Sequence, residues 1–150
     1  MILTRDEISR LTTRPKYLLD TNVVSELRSR RPNERVLAFA SVVKADSLFI
    51  SVMTLGELQK GLALKRPSDA AAAARLTSWI DSLYLQFANR IVDLDLATAT
   101  LWGELSAIRP RPLVDTLLAA TAIVHNFTLV TRNTRNVEDT GVHLLNPWQP

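Results

Sequence analysis

The stretch Tyr17-Leu18-Leu19-Asp20-Thr21-Asn22 decides how the rest of the sequence is interpreted. It is a short apolar run that stops abruptly at three polar residues. Runs this short and this apolar are typical of strands buried on both faces of a sheet. Similar runs follow along the chain, at residues 48–52, 91–94, 128–131 and 143–145.

Between these runs, apolar residues recur at helical spacing. The helical segments cover residues 23–30, 34–43, 54–64, 70–87, 95–108 and 114–126. Strands that alternate with helices predict βαβ units with a parallel sheet, and hence an α/β fold. The 150 residues have the size of one domain, so we predict a single domain over residues 1–150. Such sheets carry their chemistry at the carboxyl ends of the strands.

The composition excludes several kinds of site. The chain has no cysteine, so disulfides and zinc–thiolate sites are impossible. Its two histidines are too few for a histidine-built metal site. Any metal would therefore be a hard cation that is held by oxygen atoms.

The charge balance indicates a nucleic-acid partner. The net charge is +3, and arginine, which binds phosphate as a planar fork, supplies most of the basic excess. A net charge of this size is also common in proteins without such a partner. Residues 1–16 lack the apolar core of a signal peptide, and no apolar run approaches the length of a membrane span. We therefore expect a cytoplasmic protein.

Asp20 directly follows the first predicted strand and would point outward at the carboxyl edge of the sheet. One interpretation is a metal-binding carboxylate. The other is the N-cap of the next helix, a position that Asp, Thr and Asn all favour. This segment alone does not decide between the two.

Glu57 and Asp115 also have two interpretations each. Glu57 lies one turn into the helix after the second strand, where Thr54-x-x-Glu57 has the pattern of a capping box. Asp115 begins an apolar helix, where a carboxylate interacts favourably with the helix dipole. Taken singly, each favours the structural role. The alanines in residues 119–122 make this last helix thin enough to press close to the sheet.

Taken together, the three acids indicate a metal site. They would converge on one edge of a parallel sheet, where like charges repel unless a cation neutralises them. Mg²⁺ and Mn²⁺ accept oxygen ligands and keep several waters. Such an ion binds a phosphate oxygen and makes a bound water a better nucleophile. We predict that Asp20, Glu57 and Asp115 are both metal ligands and catalytic residues.

Five segments of the chain, in order, resemble the PIN-domain toxins of the VapC and FitB type. The segments are residues 17–27, 50–62, 112–122, 127–136 (Phe-Thr-Leu-Val-Thr-Arg-Asn-Thr-Arg-Asn) and 141–148, which ends Leu-Asn-Pro-Trp. Asp20, Glu57 and Asp115 stand at the family's acidic positions. Each motif is weak singly, but five in register are specific. Residues 1–16 precede the resemblance and form an N-terminal extension of unassigned role.

The resemblance implies a three-layer α/β/α PIN-like fold in which acids hold Mg²⁺ or Mn²⁺. It implies an endoribonuclease that is the toxin of a type II toxin–antitoxin pair. A small cognate antitoxin would silence it, and the expected assembly is a homodimer. The expected reaction is metal-dependent hydrolysis of an RNA phosphodiester, which leaves a 5′-phosphate and a 3′-hydroxyl.

The chain departs from several relatives in the fourth motif, where Asn133 replaces an aspartate. An asparagine oxygen can contact a metal weakly or accept a hydrogen bond from a water, but it adds no charge. We predict that Asn133 is a second-tier catalytic residue and that the site holds one Mg²⁺ more readily than two. The hydroxyls of Thr21 and Thr131 could orient a metal-bound water, although an ordinary role at the strand ends is the simpler interpretation.

Other charged residues are assigned more ordinary positions. Asp95 fits the N-cap of a helix, and Asp139 fits a solvated loop. Arg109 and Arg111 are expected to be exposed and to meet RNA or the antitoxin. Two further clusters could contact phosphates along an RNA path, namely Arg28, Arg30 and Arg31, and Arg132 and Arg135.

Three other functions were weighed against the nuclease. A haloacid-dehalogenase phosphatase needs Asp-x-Asp after its first strand, and Asp20-Thr21-Asn22 lacks the second acid. A receiver domain needs a late lysine, whereas the last lysine here is Lys65. An inactive PIN-like module that only binds a partner has Asn133 as its sole support.

Overall fold

The computed structural model describes residues 2–12 and 14–150, the side chains of 9–12 excepted. The helices are α1 (Arg5–Thr12), α2 (Thr21–Arg28), α3 (Glu34–Val42), α4 (Val52–Lys65), α5 (Ala70–Gln86), α6 (Leu96–Ile108) and α7 (Leu113–His125). The strands are β1 (Tyr17–Leu19), β2 (Leu48–Ser51), β3 (Ile91–Val92), β4 (Thr128–Val130) and β5 (Leu144–Leu145). The predicted strands, and the predicted helices from α2 onward, are all present within two residues at each end.

The predicted parallel sheet is confirmed. The strand order is β3-β2-β1-β4-β5, and every strand pair formed by the described residues is parallel. The first strand is central, since Leu19 is in register with Ile50 of β2 on one side and with Val130 of β4 on the other. The residue after Leu19 is therefore held in the middle of the carboxyl edge.

Helices cover both faces of the sheet, as the predicted three-layer arrangement requires. Successive residues of a strand point to opposite faces. Leu19 packs with Ile50 and Val130 against α2 to α5, whereas Leu18 packs with Leu129 against α7. Helix α6 packs on α7. This layering leaves the carboxyl ends of the strands open at one edge of the molecule.

The small residues of α7 bring it close to the sheet. Ala119, Ala120 and Ala122 are fully buried, and Ala119 and Ala122 pack against Leu18 of the central strand. A helix with methyl groups on its inner face approaches its neighbours more closely than one with large side chains. The position of α7 fixes where Asp115, near its N-terminus, meets the edge of the sheet.

The N-terminal extension contains α1, which the sequence did not predict. Residues 1 and 13 of this extension lie outside the described residues. Its last residue joins the sheet, because the Lys16 carbonyl accepts a 2.9 Å hydrogen bond from the Thr128 N–H. The Lys16 ammonium lies 4.8 Å from the centre of the Phe127 ring.

No helix in the described part of the chain is both long enough and apolar enough to cross a membrane.

Two helix starts test the predicted caps. Asp95 is the N-cap of α6, as predicted, and accepts from the Thr98 N–H at 2.8 Å. The prediction of a capping box at Thr54 and Glu57 is wrong, because α4 begins two residues earlier than predicted. Ser51 is its N-cap and accepts from the Met53 N–H at 3.0 Å. Glu57 therefore has no capping role at the start of α4.

Candidate active site

The polar residues that end two central strands meet at the carboxyl edge of the sheet. Asp20 follows β1 and Thr131 follows β4. The Asp20 N–H still donates to the Val130 carbonyl at 2.9 Å, which extends the ladder between the two strands by one bond. The Asp20 side chain thereby lies at the edge directly after the central strand, and the residue is only 5% exposed.

Both oxygen atoms of the Asp20 carboxyl group accept hydrogen bonds. The Thr131 hydroxyl donates to Oδ2 at 2.7 Å, and the Thr21 N–H donates to Oδ1 at 2.6 Å. Asp20 is the N-cap of α2, so the structural role predicted for it is confirmed. The bond from Thr131 adds a second restraint, which fixes the orientation of a buried carboxylate at the open edge of the sheet.

The pKa of Asp20 is raised above its ordinary value. Burial is the main cause, since it penalises the charged form, and the negative charges of Asp115 and Glu57 raise the pKa further. The hydrogen bonds from Thr131 and Thr21 oppose this shift without cancelling it. The three predicted acids are thus near enough for their charges to interact.

Glu57 faces the site from the second turn of α4. Its Oε1 accepts a 2.5 Å hydrogen bond from the Thr21 hydroxyl, which also lies 3.3 Å from the hydroxyl of Thr54. Thr21 therefore connects Glu57 to Asp20, through its side chain on one side and its backbone N–H on the other. The hydroxyls of Thr21 and Thr131 both bond to predicted site acids. Their role in orienting a metal-bound water stays a prediction.

Asp115 enters the site from the first turn of α7. Its Oδ2 accepts a 2.7 Å hydrogen bond from Nδ2 of Asn136. Asn136 ends the single turn of 3-10 helix at Thr134–Asn136, which follows β4. Asn136 is not among the predicted site residues, and its only signal in the sequence is its place in the fourth motif, three residues after Asn133.

Asn133 supports the site through its backbone. Its N–H donates to the Thr131 hydroxyl at 3.0 Å, and Thr131 in turn donates to Asp20. Its side chain is exposed and makes no hydrogen bond to Asp20, Glu57 or Asp115 within the described residues. The amide nearest to the acids is that of Asn136.

A clamp of three charged residues holds the backbone around Asp115. Arg109 and Arg111 each donate two hydrogen bonds to the Asp139 carboxylate, at 2.8 to 3.1 Å. The Arg111 side chain is 1% exposed and also donates to the Leu105 carbonyl. The prediction of exposed arginines is therefore wrong for Arg111. Asp139 is exposed, as predicted, and is in addition paired with both arginines.

The donor set fits a hard divalent cation. The side chains at this edge offer oxygen atoms from carboxylates, hydroxyls and amides, which Mg²⁺ and Mn²⁺ accept. In the described part of the chain, no three acidic or histidine side chains are close enough to form a ready-made metal cluster. Glu57 and Asp115 are each turned toward a protein donor. Mg²⁺ keeps several of its waters when it binds to proteins, so it does not require three direct carboxylate bonds.

Comparison with known proteins gives several consistent matches. The family model described as the PIN domain matches residues 17–141. The VapC ribonuclease Y4jK of Sinorhizobium fredii is 32% identical over 142 residues, which are 89% of this chain and 98% of that protein. Toxin FitB of Neisseria gonorrhoeae is 33% identical over 138 residues, which are 87% of this chain and 97% of that protein.

A solved structure supports the same grouping. A chain in the crystal structure of FitAcB from Neisseria gonorrhoeae superposes with a TM-score of 0.80 at 31% sequence identity. The superposition covers 89% of this chain and 99% of that chain.

Proposed function

This chain belongs to the PIN domain family, and we propose that it is a metal-dependent endoribonuclease that acts as the toxin of a type II toxin–antitoxin system. The observation that carries the proposal is the position of Asp20, Glu57 and Asp115 at one edge of the sheet, where hydrogen bonds from Thr131, Thr21 and Asn136 hold them. The ribonuclease and toxin names of the relatives give independent support.

In this proposal, Asp20, Glu57 and Asp115 hold Mg²⁺ or Mn²⁺, directly or through water. The bound cation would neutralise the carboxylates, bind a phosphate oxygen and lower the pKa of the attacking water. The chain's other groups keep the acids in place: Thr131 restrains Asp20, Thr21 restrains Glu57, and Asn136 restrains Asp115. Asn133 is a second-tier residue that acts through its N–H on Thr131.

The chemical form of the cleaved RNA end depends on whether an acid–base pair lies near the three acids. A metal-free ribonuclease needs an acid–base pair, most often of histidines. His125 lies at the opposite end of α7 from Asp115, and its Nε2 is 2.7 Å from Asp95 Oδ2. We therefore propose hydrolysis by water, which leaves a 5′-phosphate and a 3′-hydroxyl rather than a 2′,3′-cyclic phosphate.

The proposed partners are RNA, a small cognate antitoxin and a second copy of this chain. A cavity of about 290 Å³, which Trp79, Leu83 and Phe87 help to line, offers an apolar surface for an antitoxin segment. Exposed Leu96 and Leu113, on α6 and α7, offer apolar surface for a homodimer. Light scattering of the purified protein, with and without its antitoxin, tests the assembly. The proposal places the activity in the cytoplasm, together with its RNA substrate.

The proposed domain covers residues 1–150 as one PIN-like unit, with residues 1–16 as an N-terminal extension. The contact that supports including the extension is the bond from the Thr128 N–H to the Lys16 carbonyl.

Cleavage of total cellular RNA tests the function directly. The purified, antitoxin-free protein is incubated with Mg²⁺, Mn²⁺ or EDTA, beside Asp20→Ala, Asp115→Ala and the control Asp81→Ala, which removes an exposed acid on α5. We expect discrete metal-dependent products that are lost in the first two variants and kept in the control. Cleavage that persists in EDTA or in Asp20→Ala would reject the proposed site.

One observation favours a second candidate, a module that binds a partner without cleaving RNA. Glu57 and Asp115 already accept hydrogen bonds from protein donors, as they would in a site that needs no metal. Absence of both RNA cleavage and Mn²⁺ binding in the folded wild-type protein would favour this candidate.

A further inference from the structure

A polar pocket lies beside the acidic edge, between the turn that follows β4 and the C-terminal segment. Its cavity volume is about 330 Å³, within the range of small-ligand sites. The side chains that matter here are Arg132, Asn133, Arg135, Asn136, Asn146 and Gln149. Among the described residues, no aspartate or glutamate lines it.

The pocket and the acidic site share a wall. Asn136 lines the pocket and also donates to Asp115. Asn133 lines it too, and its N–H donates to the hydroxyl that holds Asp20. A polymer with one phosphate at the acids would therefore place a neighbouring unit in this pocket.

The pocket carries uncompensated positive charge. In the described part of the chain, the guanidinium groups of Arg132 and Arg135 have no carboxylate within 4.0 Å. Arg109 and Arg111 differ, because both are paired with the Asp139 carboxylate. Free guanidinium groups beside a site that handles a phosphodiester fit the adjacent phosphates of the same strand.

One of these arginines already contacts an aromatic ring. The Arg132 guanidinium lies over the ring of Trp148, 5.2 Å from its centre. This contact restricts the side chain of Arg132, which also lines the pocket. Arginine planes and aromatic rings are the surfaces on which unpaired RNA bases stack.

The amide groups of the pocket offer hydrogen bonds that the protein does not use. Asn146 accepts from the Trp148 N–H through Oδ1, but its Nδ2 has no partner in the described residues. The side-chain amide of Gln149 has none there either. An amide presents a donor and an acceptor side by side, which matches the edge of a base.

We propose that this pocket binds one nucleotide of single-stranded RNA next to the cleaved bond, with Arg135 on a phosphate and Gln149 on a base edge. The inference rests on the proposed nuclease function, for which it supplies a base-reading subsite.

Equilibrium binding of short RNA tests the pocket without cleavage. Fluorescein-labelled A, C and U hexamers are titrated in EDTA with the wild-type protein, Gln149→Ala, Arg135→Ala and the control Arg75→Ala, which removes an exposed arginine from α5. Arg135→Ala should weaken the binding of all three hexamers to the same extent. It should also reduce the slope of log affinity against log salt concentration by about one. Gln149→Ala should lower the affinity for one hexamer by about fivefold or more relative to the other two. Arg75→Ala should match the wild type.

The outcomes separate the pocket from the nuclease. Unchanged affinities in both pocket variants, or an equal loss in Arg75→Ala, would overturn the pocket, even if the wild-type protein cleaves RNA. Variants that keep their RNA affinity but no longer bind the antitoxin would assign the pocket to a protein partner. This outcome would also overturn the proposed RNA subsite. Selective loss of RNA affinity without any cleavage by the wild type would reject the nuclease and support the pocket.

Discussion

The hydroxyl of Thr131 donates a 2.7 Å hydrogen bond to Oδ2 of Asp20, although the two residues are 111 positions apart in the sequence. The bond joins the ends of two neighbouring parallel strands at the edge of the sheet. Both partners are buried, so the bond is shielded from competing water. It makes the orientation of the central carboxylate a property of the sheet rather than of a flexible loop.

Thr131→Val should weaken Mn²⁺ binding by roughly tenfold, because groups that orient metal ligands contribute about this much to metal affinity. Valine keeps the volume but removes the donor to Asp20 and the acceptor for the Asn133 N–H. Isothermal titration calorimetry with Mn²⁺ measures the change in affinity. Thr131→Ser, which keeps the hydroxyl, should retain most of the wild-type affinity. Wild-type affinity in the valine variant would show that Asp20 needs no such restraint.

Asp139→Asn should make the protein less stable at neutral pH and less sensitive to acid. Hydrogen bonds from Arg109 and Arg111 hold the pKa of Asp139 far below its ordinary value, and the unfolded chain has a pKa of about 4. A lowered folded-state pKa stabilises the protein above the unfolded pKa, and this contribution is lost as the pH falls toward the folded value. The stability difference between wild type and variant should therefore be constant from pH 8 to about 5 and shrink below about pH 4.

Urea unfolding followed by circular dichroism between pH 3 and pH 8 measures that difference. Asp46→Asn is the matched control, because Asp46 makes a single 3.3 Å contact with Arg14 and both side chains are about two-thirds exposed. Exposed pairs of this kind contribute little to stability, so the control should follow the wild type. A pH-independent difference for Asp139→Asn would mean that the clamp stabilises the fold without its charge.

Ala119→Leu should destabilise the protein by about 1–3 kcal/mol, the usual cost of adding bulk to a filled core. Ala119 is fully buried on the face of α7 that packs near Leu18. Chemical denaturation measures the loss, with Ala74→Leu as the control, since residue 74 is exposed on α5. Equal stability of both variants would contradict the close packing of α7 on the sheet.

The sheet and its helices could be predicted because burial leaves a periodic signal along the chain. Five short apolar runs and the helical segments between them determine an α/β fold, and the rule for parallel sheets determines which edge carries polar residues. The prediction failed where a few residues shift a boundary. Ser51 caps α4 instead of Thr54, because the backbone turns into the helix directly after β2.

The partners of the acids could not be predicted, because they lie far away in the sequence. Thr21 and Glu57 are 36 positions apart, and Asn136 and Asp115 are 21 apart. Nothing in the local sequence distinguishes a hydroxyl that bonds to an acid from one that bonds to the backbone. The partners of Asp139 were equally unpredictable. Its loop position indicates solvation but gives no sign of its pairing with Arg109 and Arg111.

Asn136→Ala and Asn133→Ala should separate two asparagines that the motif presents together. Asn136 donates to Asp115, so its loss should weaken Mn²⁺ binding by roughly tenfold, as for other groups that orient metal ligands. The Asn133 side chain bonds to none of the three acids in the described residues, and the N–H that reaches Thr131 survives substitution. Mn²⁺ affinity should therefore be unchanged in Asn133→Ala, whereas RNA affinity should fall, because this side chain lines the neighbouring pocket. The reverse pattern, with metal affinity lost in Asn133→Ala alone, would mean that the side chain of Asn133 turns toward the acids when the cation binds.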